Sequence, residues 1–140
     1  MIAGFYGLLE AIGYEHPVHP IFVHFTVGLT IAAAVFALIA WLGDRPHFYT
    51  TATHSINFAI IAYVFTVIFG FVDWIHFYSA AWILPIQMKI ILAAVLIPIL
   101  AGAYFLNRRG VPNPKVLVAL YILGAVDVIV IAYFGAELVY

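Results

Sequence analysis

Four long apolar stretches, each closed by a short cluster of polar and helix-breaking residues, set the plan of this chain. The first covers about residues 20–42 and carries no Asp, Glu, Lys or Arg until Asp44, where Gly43-Asp44-Arg45-Pro46 ends it. The second covers about 51–76 and opens in a Thr/Ser-rich segment able to cap a helix. The third covers about 85–107; Pro98 lies inside it, so a kink near Ala94 is expected. Arg108-Arg109-Gly110-Val111-Pro112-Asn113-Pro114 closes it, and the fourth covers about 115–138. At roughly 20 residues each, these stretches match the thickness of a bilayer's hydrocarbon core. No alternation of period two persists, which disfavours strands. The first fifteen residues, MIAGFYGLLEAIGYE, lack the basic start of a secretory signal. Phe5, Leu8, Leu9 and Ile12 fall at helical spacing with Glu10 off that face, which predicts a short helix lying in the interface. The expected fold is therefore all-α: a four-helix transmembrane bundle with a short N-terminal interfacial helix, residues 1–140 forming a single integral membrane domain.

Composition agrees with that plan and removes several kinds of chemistry. Charged residues make up 8% of the chain against about 25% in soluble proteins, and 67% of residues are hydrophobic. With no cysteine, thiolate metal sites and iron–sulfur clusters are excluded. Five scattered Lys and Arg residues leave nothing for nucleic acid to bind. There is no nucleophile elbow, phosphate loop or zincin helix, so no catalytic activity of its own is expected.

The basic residues predict an orientation. Arg45, Arg108, Arg109 and Lys115 share one side, against Lys89 on the other, which places both termini away from the cytoplasm. Trp74, Tyr78, Trp82, Tyr6 and Tyr14 then read as an outer aromatic belt. The six histidines are the unusual feature, because an ionisable residue in a membrane span is a functional hypothesis by default. Three of them fall within His16-Pro17-Val18-His19-Pro20-Ile21-Phe22-Val23-His24-Phe25. Pro17 and Pro20 stiffen the lead-in, so His16 and His19 should be interfacial and His24 embedded one turn inside the first span. At the same outer level stand Asp73 and His76 ending the second span, Lys89 starting the third and Glu137 ending the fourth. His47 reads as a solvated loop residue and His54 as a polar residue near a helix start. Asp127, midway along the fourth span, should be protonated or paired.

Three readings of the outer cluster compete. In the first, His24 and His76 are the axial ligands of a haem b in the bundle, His19 being the substitute for either. Gly28 and Gly70 would let the macrocycle approach the backbone, with Asp73 and Lys89 as supporting partners. In the second, His16, His19, Asp73 and Glu137 form a metal or proton site. In the third, His24 hydrogen-bonds Asp73 or a backbone carbonyl and pins helices together. The glycines equally suit close helix packing.

HPVHPIFVHFTVGL resembles the opening signature of a widespread bacterial membrane family, domain of unknown function 2231, whose members typically read His-Pro-x-x-x-x-His-Phe-Pro. FGFVDW and the terminal FGAELVY are similar to that family's Thr-Gly-x-x-Asp segment and Gly-Gly-Glu-Leu-Val-Tyr ending. The family-like positions are His19, Pro20, His24, Phe25, Gly70, Asp73, Gly135, Glu137, Leu138, Val139 and Tyr140. Thr26 stands where the family has proline, Gln87-Met88-Lys89 where many members have a histidine, and Tyr133 where some do. If those histidines bind haem in relatives, His76 must substitute here. The resemblance implies a bacterial inner-membrane protein linked to respiratory or redox modules.

The leading expectation is a small subunit of an electron-transfer complex in the bacterial inner membrane, both termini periplasmic. It would bind haem b near the periplasmic face and serve quinone, a periplasmic cytochrome or a larger complex. The alternative is a cofactor-free accessory subunit held among other membrane subunits. A pigment, metal or proton site is the third reading.

Overall fold

The computed structural model describes residues 2–110 and 114–138. The family-like positions Val139 and Tyr140, and residues 111–113 of the second arginine-bearing loop, lie outside the described residues. Among the described residues five helices follow in order: α1 (Ile2–Ala11), α2 (His19–Leu42), α3 (His47–Phe77), α4 (Leu84–Arg109) and α5 (Pro114–Ala136). The last four are each long and apolar enough to cross a membrane, and no strand occurs among the described residues. The fold is thus a four-helix membrane bundle with a short N-terminal helix.

Local chemistry explains the boundaries. Pro46 at the N-cap of α3, with φ −59°, starts that helix at His47, four residues before the expected position. Between α2 and α3 the Gly43 N–H returns to the Ile39 carbonyl at 3.0 Å, and Asp44 is left-handed at φ 50°. A Cβ on Gly43 would stand 2.8 Å from the Ile39 oxygen, so this turn requires glycine. The α3–α4 loop places Ser79 and Ala80 at positive φ, and Trp74 Nε1 holds it by donating to the Ala81 carbonyl at 2.8 Å. Helix α4 continues through Pro98, whose missing N–H leaves the Ala94 carbonyl without its helical donor. One residue earlier, the Ala93 carbonyl accepts the Tyr63 hydroxyl at 2.6 Å, tying α3 to this weakened turn.

α2 packs on α3 and α5, α4 packs mainly on α5 and lightly on α3, and α3 and α5 occupy opposite corners. The α2–α3 seam is built of small side chains, Ala33, Ala34, Ala37 and Ala40 facing Ala52, Ile56 and Ala59, all buried. Small residues let two helix backbones approach closely where lipid offers no hydrophobic drive to associate. Leu96, Leu100, Ala103, Leu117, Val118, Tyr121 and Val128 complete the core from α4 and α5. The large apolar side chains Phe25, Phe58, Ile61 and Ile97 are more than half exposed, which is the distribution of a chain solvated by lipid. One end of the bundle carries His19, Asp73 and Lys89; the other carries Arg45, Arg108 and Arg109.

Candidate functional site

The site forms at the His19 end, and Asp73 is its centre. Helix α2 begins at Val18, which has no side chain able to cap, so its first N–H groups need an acceptor from elsewhere. Asp73 of α3 supplies it. Its Oδ2 accepts the His19 N–H at 2.8 Å and its Oδ1 accepts the Val18 N–H at 3.3 Å. A carboxylate at a helix N-terminus also meets the positive end of the helix dipole. The third donor is the Tyr6 hydroxyl of α1, which binds Asp73 Oδ1. Asp73 and Tyr6 are both buried, at 3% and 2% exposure. Burial, and then the Asp73 carboxylate, push the Tyr6 phenol well above its ordinary range, so it remains a donor at physiological pH.

The His19 ring continues the cluster. Its Nδ1 lies 2.8 Å from the Thr66 carbonyl, and because a carbonyl only accepts, Nδ1 carries the proton. The ring lies on Gly70: a Cβ there would stand 3.0 Å from Nδ1 and 3.1 Å from Cε1. Gly70 therefore makes room for an imidazole from the neighbouring helix. Thr66 Oγ1 in turn pairs with Thr26 Oγ1 at 2.8 Å. Thr26 thus adds a hydroxyl bridge between α2 and α3. Lys89 is half-buried, in the field of Asp73 and His19, with its ammonium 3.7 Å from where a Gly135 Cβ would stand.

The remaining sequence-selected residues lie elsewhere. His24 is exposed on the outside of α2, and its Nδ1 donates to the Pro20 carbonyl of its own helix at 2.5 Å. It does not bond Asp73 and it pins no second helix. Gly28, one turn further along, has open space where a Cβ would be. His76 stacks on Tyr6 with ring centroids 3.9 Å apart and an interplanar angle of 15°. His16 is exposed and meets the Tyr14 ring edge-on. Glu137 is exposed and accepts a hydrogen bond from Tyr133. His47 and His54 are exposed, His47 as the first residue of α3.

This placement corrects the expected haem geometry. Two imidazoles on one iron must each bring a nitrogen to about 2 Å from it. His24 lies five residues inward of His19, and His76 six residues beyond Gly70, the residue against the His19 ring. At 1.5 Å per residue this separates them by roughly 16 Å along the bundle. One faces outward, and the other is covered by Tyr6. His19, the substitute, is engaged with Thr66 and Gly70. The residues present do not fit a haem held between two histidines of a single chain. Nor do His16, His19, Asp73 and Glu137 assemble: no group of three His, Asp or Glu side chains able to hold a metal ion occurs among the described residues.

Two participants escaped the sequence. Tyr6 reads as a belt residue there, and the Phe5/Leu8/Leu9/Ile12 stripe as the apolar face of an interfacial helix. In the structure Tyr6 is buried while Leu8 and Ile12 are 72% and 78% exposed. Its partner is 67 residues away, so no local pattern marks the pair. Thr66 likewise carries no charge and stands in an apolar run. Replacing Tyr6 by phenylalanine should remove one charge-assisted hydrogen bond and cost about 2 kcal/mol. Amide hydrogen exchange should show α1 opening selectively, while α2 to α5 keep their protection.

The architecture and the cluster together define a class: small multi-pass membrane proteins whose first spanning helix is capped by a carboxylate from the second. Residues 15–140 match the family model described as predicted membrane protein (DUF2231), and the chain belongs to that family. No curated protein and no solved structure matches it.

Proposed function

We propose that this protein is a subunit of a larger assembly in the bacterial inner membrane and joins it through the outward face of α2. The observation that carries this is His24. An imidazole within a membrane span is costly unless it has a polar partner. Here Nδ1 is used within its own helix, which leaves Nε2 as a lone-pair acceptor on an exposed ring. Among the described residues no group bonds that nitrogen, so its natural use is a donor or a cation on a neighbour. The Asp73 cluster has the complementary role of holding α1, α2 and α3 in one arrangement. By the positive-inside rule the Arg45, Arg108 and Arg109 end faces the cytoplasm and the His19 end the periplasm.

An electron-transfer version of the same reading is supported by Gly28. It leaves an open step one turn below His24 on the same outward face, room for a flat macrocycle against the backbone. A haem there would take His24 as one ligand and its second from another subunit, and would supply one-electron chemistry.

The test is native electrophoresis of membranes solubilised in mild detergent. Wild-type protein should migrate in a complex well above monomer size, and His24→Ala should shift it to smaller species. A wild-type monomer would sink the proposal. A reduced-minus-oxidised α-band that travels with the complex and disappears in His24→Ala supports the haem version; a colourless complex leaves the accessory role without it.

A further inference from the structure

The interior of the bundle holds a second polar set, separate from the Asp73 cluster. Near the arginine end, Thr53 Oγ1 donates to Asn107 Oδ1 at 3.1 Å and Asn107 Nδ2 donates to Tyr121 Oη at 2.8 Å, joining α3, α4 and α5. Asn107 also lines an open cavity of about 150 Å³, with Tyr49, Pro114 and Leu117. That volume holds several waters. Asn57 lies one turn beyond Thr53 on α3, and Asp127 lies six residues beyond Tyr121 on α5. These steps are roughly 6 and 9 Å, so Asn57 and then Asp127 lie successively further from the arginine end, on opposite corners of the bundle.

Both carry an orphan. Asn57 Oδ1 and Asp127 Oδ2 are buried side-chain oxygens with no hydrogen-bond partner, and Asp127 is 8% exposed. A seam that existed solely to join helices would have its polar atoms paired with one another, as Thr53, Asn107 and Tyr121 are. Unpaired buried oxygens are normally satisfied by internal water. Among the described residues no hydrogen bond ties a cation to Asp127 Oδ2. The titratable side chain in its field is the Tyr63 phenol of α3, whose proton already goes to the Ala93 carbonyl. From α2 the same stretch of α5 meets the Thr30 side chain and from α4 Ile99, both touching Gly124 one turn earlier; neither is charged. An ionised carboxylate so placed has nothing to compensate it, whereas a carboxylic acid needs one acceptor and one donor, which water supplies.

We propose that Asp127 is a proton-binding site in the middle of the membrane, reached from the arginine end through water that enters at the Asn107 cavity and passes Asn57. The ligand is a proton delivered along hydrogen-bonded water, and the site is distinct from His24 and from Asp73. Its proton exchanges with the solution on the cavity side.

Infrared difference spectroscopy of the whole protein in lipid tests this. The expected result is a protonated-carboxyl C=O band that is absent in Asp127→Asn and shifts within minutes of transfer to D2O. Asn57→Leu, which fills the seam with an apolar side chain, should slow that shift at least tenfold without removing the band. Should Asp127→Asn not fold, Asn57→Leu and the wild-type band still decide. Absence of the band, a band that does not exchange, or exchange unaffected by Asn57→Leu would each overturn the proposal.

Discussion

Replacing Asp73 by alanine should destabilise the protein by about 4 kcal/mol, more than any other single polar substitution in the chain. Three donors lose their acceptor at once: the Tyr6 hydroxyl and the Val18 and His19 N–H groups. Each unmade buried hydrogen bond costs about 1–3 kcal/mol, and water entering at the end of the bundle recovers part of the sum. The positive end of the α2 dipole also loses its counter-charge. Asp73→Asn keeps one acceptor oxygen but presents an amide N–H₂ to a remaining donor, so it should fall between wild type and alanine. The measurement is the unfolding midpoint in mixed micelles, with the slope held constant across variants. A loss below about 1 kcal/mol in Asp73→Ala would mean that water already competes for these donors, and the cap would not be what fixes the start of α2.

The second large effect should come from Gly124→Leu. Gly124 is buried where α5 crosses α2 and α4, and a Cβ there would already stand 3.3 Å from Thr30 Cγ2 and 3.4 Å from Ile99 Cγ2. A methyl group fits with slight adjustment. The three further carbons of leucine do not, and they must push α5 away from both neighbours. Overpacking of this kind costs about 3 kcal/mol, and in a membrane bundle the lost close approach is also the main source of helix association. Gly28→Leu is the matched control. Nothing lies within 4 Å of a Cβ at that position, so no loss is expected there, and the better helix propensity of leucine should add about 0.5–1 kcal/mol. Equal losses at the two positions would show that close packing does not set Gly124 apart from Gly28.

These two glycines show why the site was harder to read than the fold. In sequence, Gly28, Gly70 and Gly124 look alike, small residues one or a few turns from a polar group. The structure divides them: Gly28 faces open space, Gly70 receives the His19 ring, and Gly124 admits neighbouring side chains. The histidines divide in the same way. His24 looked like the residue most deeply committed to the interior and is instead the one turned out of it. His19, read as part of a stiff lead-in, is the one that packs against α3. Asp73 was legible as a member of the cluster but not as the cap of α2, because its partners are 54, 55 and 67 residues away.

The number of spanning helices, their approximate ends and the membrane setting follow from local quantities: apolar length against bilayer thickness, and the Gly, Pro and charged residues that interrupt it. These can be read along one dimension. The rotation of each helix about its axis cannot. In a soluble protein the polar face of a helix declares which side meets water. In this chain the side toward neighbouring helices and the side toward lipid are both apolar, so periodicity carries no sign of inside and outside. Which histidine turned inward, which glycine met a neighbour and where Asp73 found its donors were decided when the helices packed, since close contact between backbones and pairing of buried polar atoms exist only in three dimensions.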